Sequence, residues 1–356
     1  MPQWQRYPKI SESTHAFTPE AGDAASSNWV VTEKIHGANF SIAVSADGAI
    51  TFASRGRQLA ATDNFFGFRS QGLHVTLAEC AQALRERLVA EGTMQDAAGI
   101  VVYGELFGGE YPHPDVPASV SSPGPIQRGC WYSPTLAYLA FDVAIALEAA
   151  TEVAFINFDT AHVAATAAGL RFAAPLSRGS LAQCLGYNPR FTSTLPALLG
   201  LPALPGDPNL AEGIVVRSVH GPRRLVKIKI AEFSERQYQN EQWREVRAGK
   251  GGRGGGPGAT PSWEDNEAML RFEMLAAINA QRLAAVLSKT GTVDPANKAA
   301  CRQLLDDVMA DVEEALVDDG LLTQPGQLRS CHGELHQELE RESRKVCAAH
   351  LRAQRP

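Results

Sequence analysis

Between Ala248 and Gly258 the chain reads Ala-Gly-Lys-Gly-Gly-Arg-Gly-Gly-Gly-Pro-Gly. Seven glycines and a proline in eleven residues offer almost no side chain to pack, and glycine backbone is costly to order, so neither helix nor strand is expected there. The stretch divides the chain. Before it, apolar residues alternate or run in blocks of strand length; after it they recur at helical spacing. The expected organisation is an α+β domain over residues 1–247, a linker over 248–259 and a small all-α domain over 260–356.

A chain of 356 residues, 44% hydrophobic and 20% charged, suits about two globular domains. No apolar run is long enough to cross a membrane, and Met-Pro-Gln-Trp-Gln-Arg-Tyr has no apolar leader core, so a cytoplasmic protein is expected. The six cysteines lack Cys-x-x-Cys spacing and indicate neither a disulfide framework nor a zinc ribbon. The net charge of −6 argues against a protein that coats nucleic acid. Residues 223–253 run the other way, with nine Lys or Arg against four Glu, and suggest a localised anionic partner unless they form a solvated helix face.

Val30-Val-Thr-Glu-Lys-Ile-His-Gly-Ala-Asn-Phe-Ser-Ile42 sets a polar run between apolar flanks. It reads as strand, turn and strand, with Glu33 and Lys34 at the first strand's end and Gly37 in the turn. As a bare pattern this is a hairpin with an exposed lysine, although an amine beside a glycine turn can also approach a phosphate closely. Residues 49–55, 100–107, 136–143, 213–218 and 224–230 read as further strands. Leu77, Cys80, Ala81, Leu84 and Leu88 predict a helix over 75–91, and another is expected over 158–169. Six prolines make 111–134 a long loop, and 189–208 is broken by prolines too. In the second part, Leu270, Met274, Ile278 and Val286 fall on one helical stripe. Asp294-Pro295 predicts the start of a helix through Leu304, Leu305, Val308, Val312 and Leu316 to Gly320, and a charged helix with Leu335 and Leu339 follows.

Five other stretches place polar groups at the ends or on one face of apolar strands: Arg55, Glu105, Phe141-Asp142, Glu212-Gly213, and Lys227 with Lys229. Val226-Lys-Ile-Lys-Ile alternates strictly, so both ammonium groups share a face about 7 Å apart. Such a pair repels unless an anion lies between them; otherwise it is a solvated strand edge.

In this order the stretches resemble the covalent nucleotidyltransferases, most closely the RNA ligase 2 family that includes the trypanosome RNA-editing ligases. Glu33-Lys-Ile-His-Gly-Ala-Asn-Phe is similar to that family's nucleotidyl-lysine motif, Ser54-Arg-Gly-Arg to its arginine motif, and Asp63-Asn-Phe-Phe-Gly-Phe to the segment after it. Tyr103-Gly-Glu-Leu-Phe-Gly-Gly, Leu139-Ala-Phe-Asp-Val, Glu212-Gly-Ile-Val-Val-Arg and Leu225-Val-Lys-Ile-Lys resemble the remaining motifs. The resemblance runs from about residue 5 to residue 240, and Asn279–Gly291 is more loosely similar to the family's C-terminal domain. The proline-rich stretch 111–125 is long for its place, and the glycine linker is unusual.

The resemblance implies an ATP-grasp-like nucleotidyltransferase domain, with antiparallel sheets flanking a cleft, and a helical domain that helps position RNA. It implies an ATP-dependent RNA ligase that uses Mg²⁺ or Mn²⁺. Lys34 would attack the α-phosphate of ATP, expel pyrophosphate and hold AMP through a P–N bond. AMP would pass to an RNA 5′-phosphate, and a 3′-hydroxyl would displace it. Lys227 and Lys229 would bind the nucleotide, favour the neutral form of Lys34 and counter charge developing on phosphate. His36 would support later steps. Glu33 would help read the adenine edge, with Ile35 in the same nucleotide contact; Phe141 would stack on adenine, and Glu105 would bind the ribose. Arg55 and Asn39 would meet ribose or phosphate. Glu212, with Glu105, would place the metal.

The implied partner is RNA with 3′-hydroxyl and 5′-phosphate ends, in a nicked duplex, joined by a monomeric enzyme away from membranes. A DNA ligase or a GTP-using capping enzyme shares the lysine chemistry. Phe141-Asp142, the Lys-Ile-His-Gly form and the absence of a recognisable OB-fold tail favour RNA ligase. An RNA-end-binding protein without catalysis would have no use for Lys34, Glu105, Glu212, Lys227 and Lys229 together. In the tail, Cys331, His332, His336, Cys347 and His350 include Cys-x4-His and Cys-x2-His pairs. Charged residues between them argue against a structural zinc.

Overall fold

The two strands that flank Lys34 do not pair with each other. In the computed structural model, β1 (Trp29–Glu33) and β2 (Ala38–Val44) belong to different antiparallel sheets. β1 lies between β7 (Pro175–Gly179) and β8 (Gly213–Ser218), with β9 (Leu225–Lys229) at the edge beyond β8. β2 lies in a five-stranded sheet ordered β3 (Ile50–Ser54), β2, β4 (Gly99–Glu110), β5 (Ser133–Ala146), β6 (Ala154–Phe155). The hairpin allowed by the bare pattern is replaced by a crossing, in which residues 34–37 carry the chain from one sheet to the other. The cause is burial. Val30, Val31, Phe40 and Ile42 are all fully buried, and each strand satisfies its backbone with a neighbour on both sides, which a lone hairpin could not supply.

The structure describes residues 4–10, 28–119, 124–127, 129–146, 153–233, 270–271, 273–275, 277–318 and 321–353. Two compact units emerge: Met1–Phe233 with Ser288–Gly291, and Ser234–Leu287 with Thr292–Pro356. The glycine-rich stretch, the boundaries expected near 247 and 260, and most of the basic segment 223–253 lie outside the described residues.

In the first unit α1 (Leu73–Ala90) packs Leu77, Ala81, Leu84 and Leu88 into a core with Phe40, Ile42, Ile100 and Val102 of β2 and β4. Leu84 and Leu88 are fully buried, and removing such a side chain from water contributes about 2 kcal/mol. The other face of this sheet carries Ala43, Val101, Tyr103 and Ala144, covered in part by Tyr7. Asn157 caps α2 (Phe158–Ala167) by accepting from the Thr160 N–H. The four-stranded sheet has its own core of Trp29, Val31, Ile214, Val216 and Val226, closed by Leu181 and Cys184 of α3 (Leu181–Leu185). The sequence pattern missed β7, β6 and α3, each five residues or fewer and too short to show a period; α3 is instead set by the Ser180–Gln183 capping box. The proline-broken stretch holds one further turn of helix, α4 (Leu195–Leu198).

The second unit contains α5 (Ala280–Thr290) as far as Leu287, α6 (Lys298–Asp318), α7 (Gln327–Cys331) and α8 (Gly333–Ala353). The long helix does not open at Asp294-Pro295. Asp294 instead folds a turn, its carboxylate accepting from the Ala296 N–H, and Asn297 caps the helix by accepting from the Ala300 N–H at 3.0 Å. The expected single stripe divides in two. Leu270 and Met274 pack with Val312, Leu316, Leu335 and Leu339, whereas Val286 packs with Leu304, Val308 and Cys347. Cys331 is exposed and Cys347 buried, and His336 Nδ1 stands 3.8 Å from Glu313 Oε1. No described helix is long and apolar enough to cross a membrane.

Candidate active site

The crossing between sheets places Lys34 against groups that are far apart in sequence. Its backbone N–H donates to the Gly213 carbonyl at 2.9 Å, and its Nζ lies 2.6 Å from Glu212 Oε2. The other Glu212 oxygen is 3.3 Å from Lys229 Nζ, and His36 Nδ1 is 3.5 Å from Oε2. Glu212 is buried, and its own carbonyl accepts from the Ile230 N–H, so backbone and side chain both tie the start of β8 to the end of β9. Burial alone would push this carboxyl up, but Lys34, Lys229 and His36 together hold it well below the usual carboxylate range. Gly213 sits at φ +149°, where a Cβ would meet the Ile228 carbonyl oxygen at 2.0 Å. The Glu-Gly pair is therefore one device, a carboxylate followed by the only residue that fits the approach of β9.

Alternation along β9 is as expected. Val226 and Ile228 pack into the core of the four-stranded sheet, leaving Lys227 and Lys229 on the opposite face, both half-buried. The anion beside Lys229 in this protein is the Glu212 carboxylate.

Glu105, on β4, faces the same groups. It lies directly across from Asn39 of β2, and Gly37 brings the turn so close that a Cβ would stand 2.3 Å from the Leu106 carbonyl oxygen. The Gly37 backbone comes close to the Glu105 side chain. Burial, opposed by Lys34, Arg55 and the Gly37 N–H and reinforced by the Glu212 charge, leaves this carboxyl raised to about 7. Two carboxylates of opposite tendency thus share one neighbourhood, a pattern that clusters at functional sites.

Phe141 is the extra residue of a β-bulge. Tyr103 pairs with Asp142 and Gly104 with Ala140, so Phe141 is skipped in the ladder. Its carbonyl accepts from Arg217 Nη1 at 2.8 Å, and its ring meets Tyr7 edge-on at 5.0 Å. Asp142, fully buried, accepts from Arg217 Nη2 at 3.0 Å, Arg223 Nε at 3.1 Å and the Tyr7 hydroxyl at 2.9 Å. Arg223 also donates to Tyr7 and lies over the Phe155 ring. This network joins β5 to the loop and strand of the other sheet. The sequence reading included Arg217 only as the end of Glu212-Gly-Ile-Val-Val-Arg and Arg223 only in the basic segment 223–253, and gave no role here to either of them or to Tyr7.

Two expected contacts are placed differently from the rest. Ile35 is buried, with its side chain in the main core. The Glu33 carboxylate takes hydrogen bonds from Ser193 Oγ (2.6 Å), the Thr194 N–H (2.8 Å) and Thr194 Oγ1 (2.7 Å). Burial raises its pKa and these three donors pull it back. Lys34, His36, Glu105, Glu212 and Lys229 thus converge, Asn39 and Arg55 stand beside Glu105, Lys227 shares a strand face with Lys229, and Phe141 lies against Tyr7.

The oxygen donors here suit a hard cation. Among the described residues no group of three or more His, Cys, Asp or Glu side chains converges to hold a metal on its own. Glu212 and Glu105 could supply one or two carboxylate oxygens, with phosphates and water completing the shell, as Mg²⁺ and Mn²⁺ accept.

A family model described as RNA ligase matches residues 27–229, a span that holds every one of these groups except Tyr7. The chain belongs to the RNA ligase family. This RNA ligase family member is 31% identical over 264 residues to RNA-editing ligase 1, mitochondrial, of Trypanosoma brucei brucei, covering 65% of this chain and 55% of that protein. It is 30% identical over 206 residues to RNA-editing ligase 2, mitochondrial, of the same organism, covering 53% and 48%. It spans about half the length of these relatives. A solved archaeal ATP-dependent RNA ligase is similar over 87% of this chain and 64% of that one, at 12% identity and a TM-score of 0.36.

Proposed function

We propose that this protein is an ATP-dependent RNA ligase with Lys34 as the residue that carries AMP. The observation that supports this most directly is the shared carboxylate: Glu212 holds Lys34 on one oxygen and Lys229 on the other. In the free protein that arrangement keeps the amine at the sheet junction and out of bulk water. A triphosphate entering between the lysines offers both a second anion, and Lys34 can then leave Glu212. The ammonium must lose a proton before it attacks. The N–P bond then forms as the bond from the α-phosphorus to pyrophosphate breaks, and Lys229 and Lys227 would counter the charge that builds on the departing phosphates.

Phe141, offered by its bulge, would stack on the base, while Glu105 and Asn39, paired across β4 and β2, would meet the ribose. Arg55 would contact ribose or phosphate. A Mg²⁺ or Mn²⁺ ion held by Glu212 and Glu105 would counter phosphate charge when bound. AMP would pass to a 5′-phosphate end of RNA, and an adjoining 3′-hydroxyl would displace it to seal the strand. Coupling to RNA rests on the relatives and on the family, and a nicked duplex is the substrate proposed for trial.

The test is incubation with α-labelled ATP, GTP or NAD followed by a denaturing gel, then addition of nicked RNA and nicked DNA duplexes. Label from ATP alone, chased into sealed RNA, is the expected result. A labelled band from GTP, or sealing of DNA only, would refute the reading.

A further inference from the structure

The proline-rich excursion after β4 returns to the active-site turn. Ile126 donates its N–H to the Gly108 carbonyl, buried Gln127 accepts from the Gly108 N–H, and the chain then reaches Trp131 and Tyr132. Tyr132 is fully buried, packs edge-on against Phe107 at 5.3 Å, and its hydroxyl accepts from the His36 N–H at 3.1 Å. Trp131 is clamped by Asn209, whose Oδ1 accepts from the Trp131 N–H at 2.8 Å and whose Nδ2 donates to the Trp131 carbonyl at 2.6 Å. The Asn209 carbonyl accepts from the Ser193 N–H at 2.8 Å, and Ser193 Oγ donates to Glu33.

These bonds form a closed circuit. It leaves the turn at Glu33, passes through the loops holding Ser193, Asn209 and Trp131, and re-enters the turn at His36. Lys34 lies between the two ends. Its own N–H is fixed on Gly213, so the backbone on both sides of the amine is held while the side chain is left to move between Glu212 and substrate. The imidazole of His36 is also confined, by Phe233 with ring centroids 5.3 Å apart. A hairpin would need none of this. A turn that crosses between sheets has no ladder of its own, and the circuit supplies the missing restraint.

Resting on the assignment of Lys34 above, we propose that Tyr132 and Glu33 are positioning residues for the nucleophile. The Glu33 carboxylate braces the turn rather than reading the base, and the excursion is present to deliver Tyr132. A misplacement of about 1 Å can cost on the order of a hundredfold in rate, so loosening one link should slow lysyl-AMP formation about tenfold.

The experiment uses the full chain and measures the rate of lysyl-AMP formation across ATP concentrations for the wild type, Tyr132→Phe, Asn209→Ala and the double variant. Each single variant should lower the rate at saturating ATP about tenfold, with half-saturating ATP changed by less than about twofold. The double variant should be slower by much less than the product of the two, because both break one circuit. Tyr111→Phe removes another hydroxyl of the same excursion, the one that donates to the Pro202 carbonyl, and should keep the wild-type rate. Wild-type rates in a folded Tyr132→Phe, a loss confined to ATP affinity, or fully multiplicative effects would each overturn the proposal. If Tyr132→Phe does not fold, Asn209→Ala paired with Thr194→Val applies the same comparison at half-buried Asn209 and at exposed Thr194, whose hydroxyl also donates to Glu33. A wild type that takes no label refutes the assignment of Lys34 itself, a separate outcome.

Discussion

The opposed carboxylates of the site give a pH dependence of stability with a definite sign. Glu105 is raised from 4.5 to about 7, mainly by burial, with the Glu212 charge adding to it. A folded-state pKa above the unfolded one means the folded protein holds the proton more firmly. The corresponding stability is complete below about pH 4.5 and is lost as pH rises through about 7. A shift of about 2.5 units corresponds to about 3.4 kcal/mol at 1.36 kcal/mol per unit, and the partial exposure of this side chain brings the expected figure to roughly 2 kcal/mol. Glu105→Gln keeps the shape and removes the titration. Urea unfolding at intervals from pH 5 to pH 8, in chelator and without nucleotide, should show the wild type losing roughly 2 kcal/mol relative to Glu105→Gln as pH rises. Glu212→Gln should differ in the opposite sense, because Glu212 is held low: its stabilisation is present above about pH 4.5 and lost as pH falls further. Parallel wild-type and Glu105→Gln profiles between pH 5 and 8 would refute the reasoning.

Lys34→Ala and Lys34→Arg should both abolish the labelled adduct on a denaturing gel, since a guanidinium is effectively never deprotonated; label retained by either removes Lys34 as the acceptor. Lys227→Ala and Lys229→Ala should stay folded and form far less adduct, whereas Ile228→Asp, on the core face, should cost about 3 kcal/mol by burying an unpaired charge and appear as a lowered Tm. Normal adenylylation by both lysine variants would return the pair to a solvated strand edge. A chain ending at Arg247 should still take label from ATP but seal nicked RNA poorly; sealing at the full-length rate would give the helical part another task.

Most of the first unit was legible because its strands are long enough to show a period. β2, β4, β5, β8 and β9 and helix α1 all lie where the sequence pattern puts them. Partnership was not legible. Val30–Ile42 has the pattern of a hairpin, yet β1 and β2 sit in different sheets, because alternation reports which face a residue takes and not which strand lies beside it. The helix boundary at Asp294-Pro295 failed for a related reason. Two capping residues stand three apart, Asp294 and Asn297, and only the packing of the following helix decides that Asn297 is the cap.

The site divides along the same line. Lys34, Glu105, Glu212 and Lys229 were legible because each stands in a short motif that is polar within an apolar strand. What surrounds them was not, since its members are single residues in loops: Ser193, Asn209 and Tyr132 have no period, no motif and no charge to mark them. Their importance arises from the crossing itself. Once the turn at Lys34 leaves one sheet for the other, its backbone groups lack ladder partners, and buried donors must find acceptors elsewhere. The His36 N–H finds the Tyr132 hydroxyl; the Lys34 N–H finds the Gly213 carbonyl. A nucleophile placed at a crossing therefore recruits its supports from distant loops, and those supports become visible only when the pairing of strands is known.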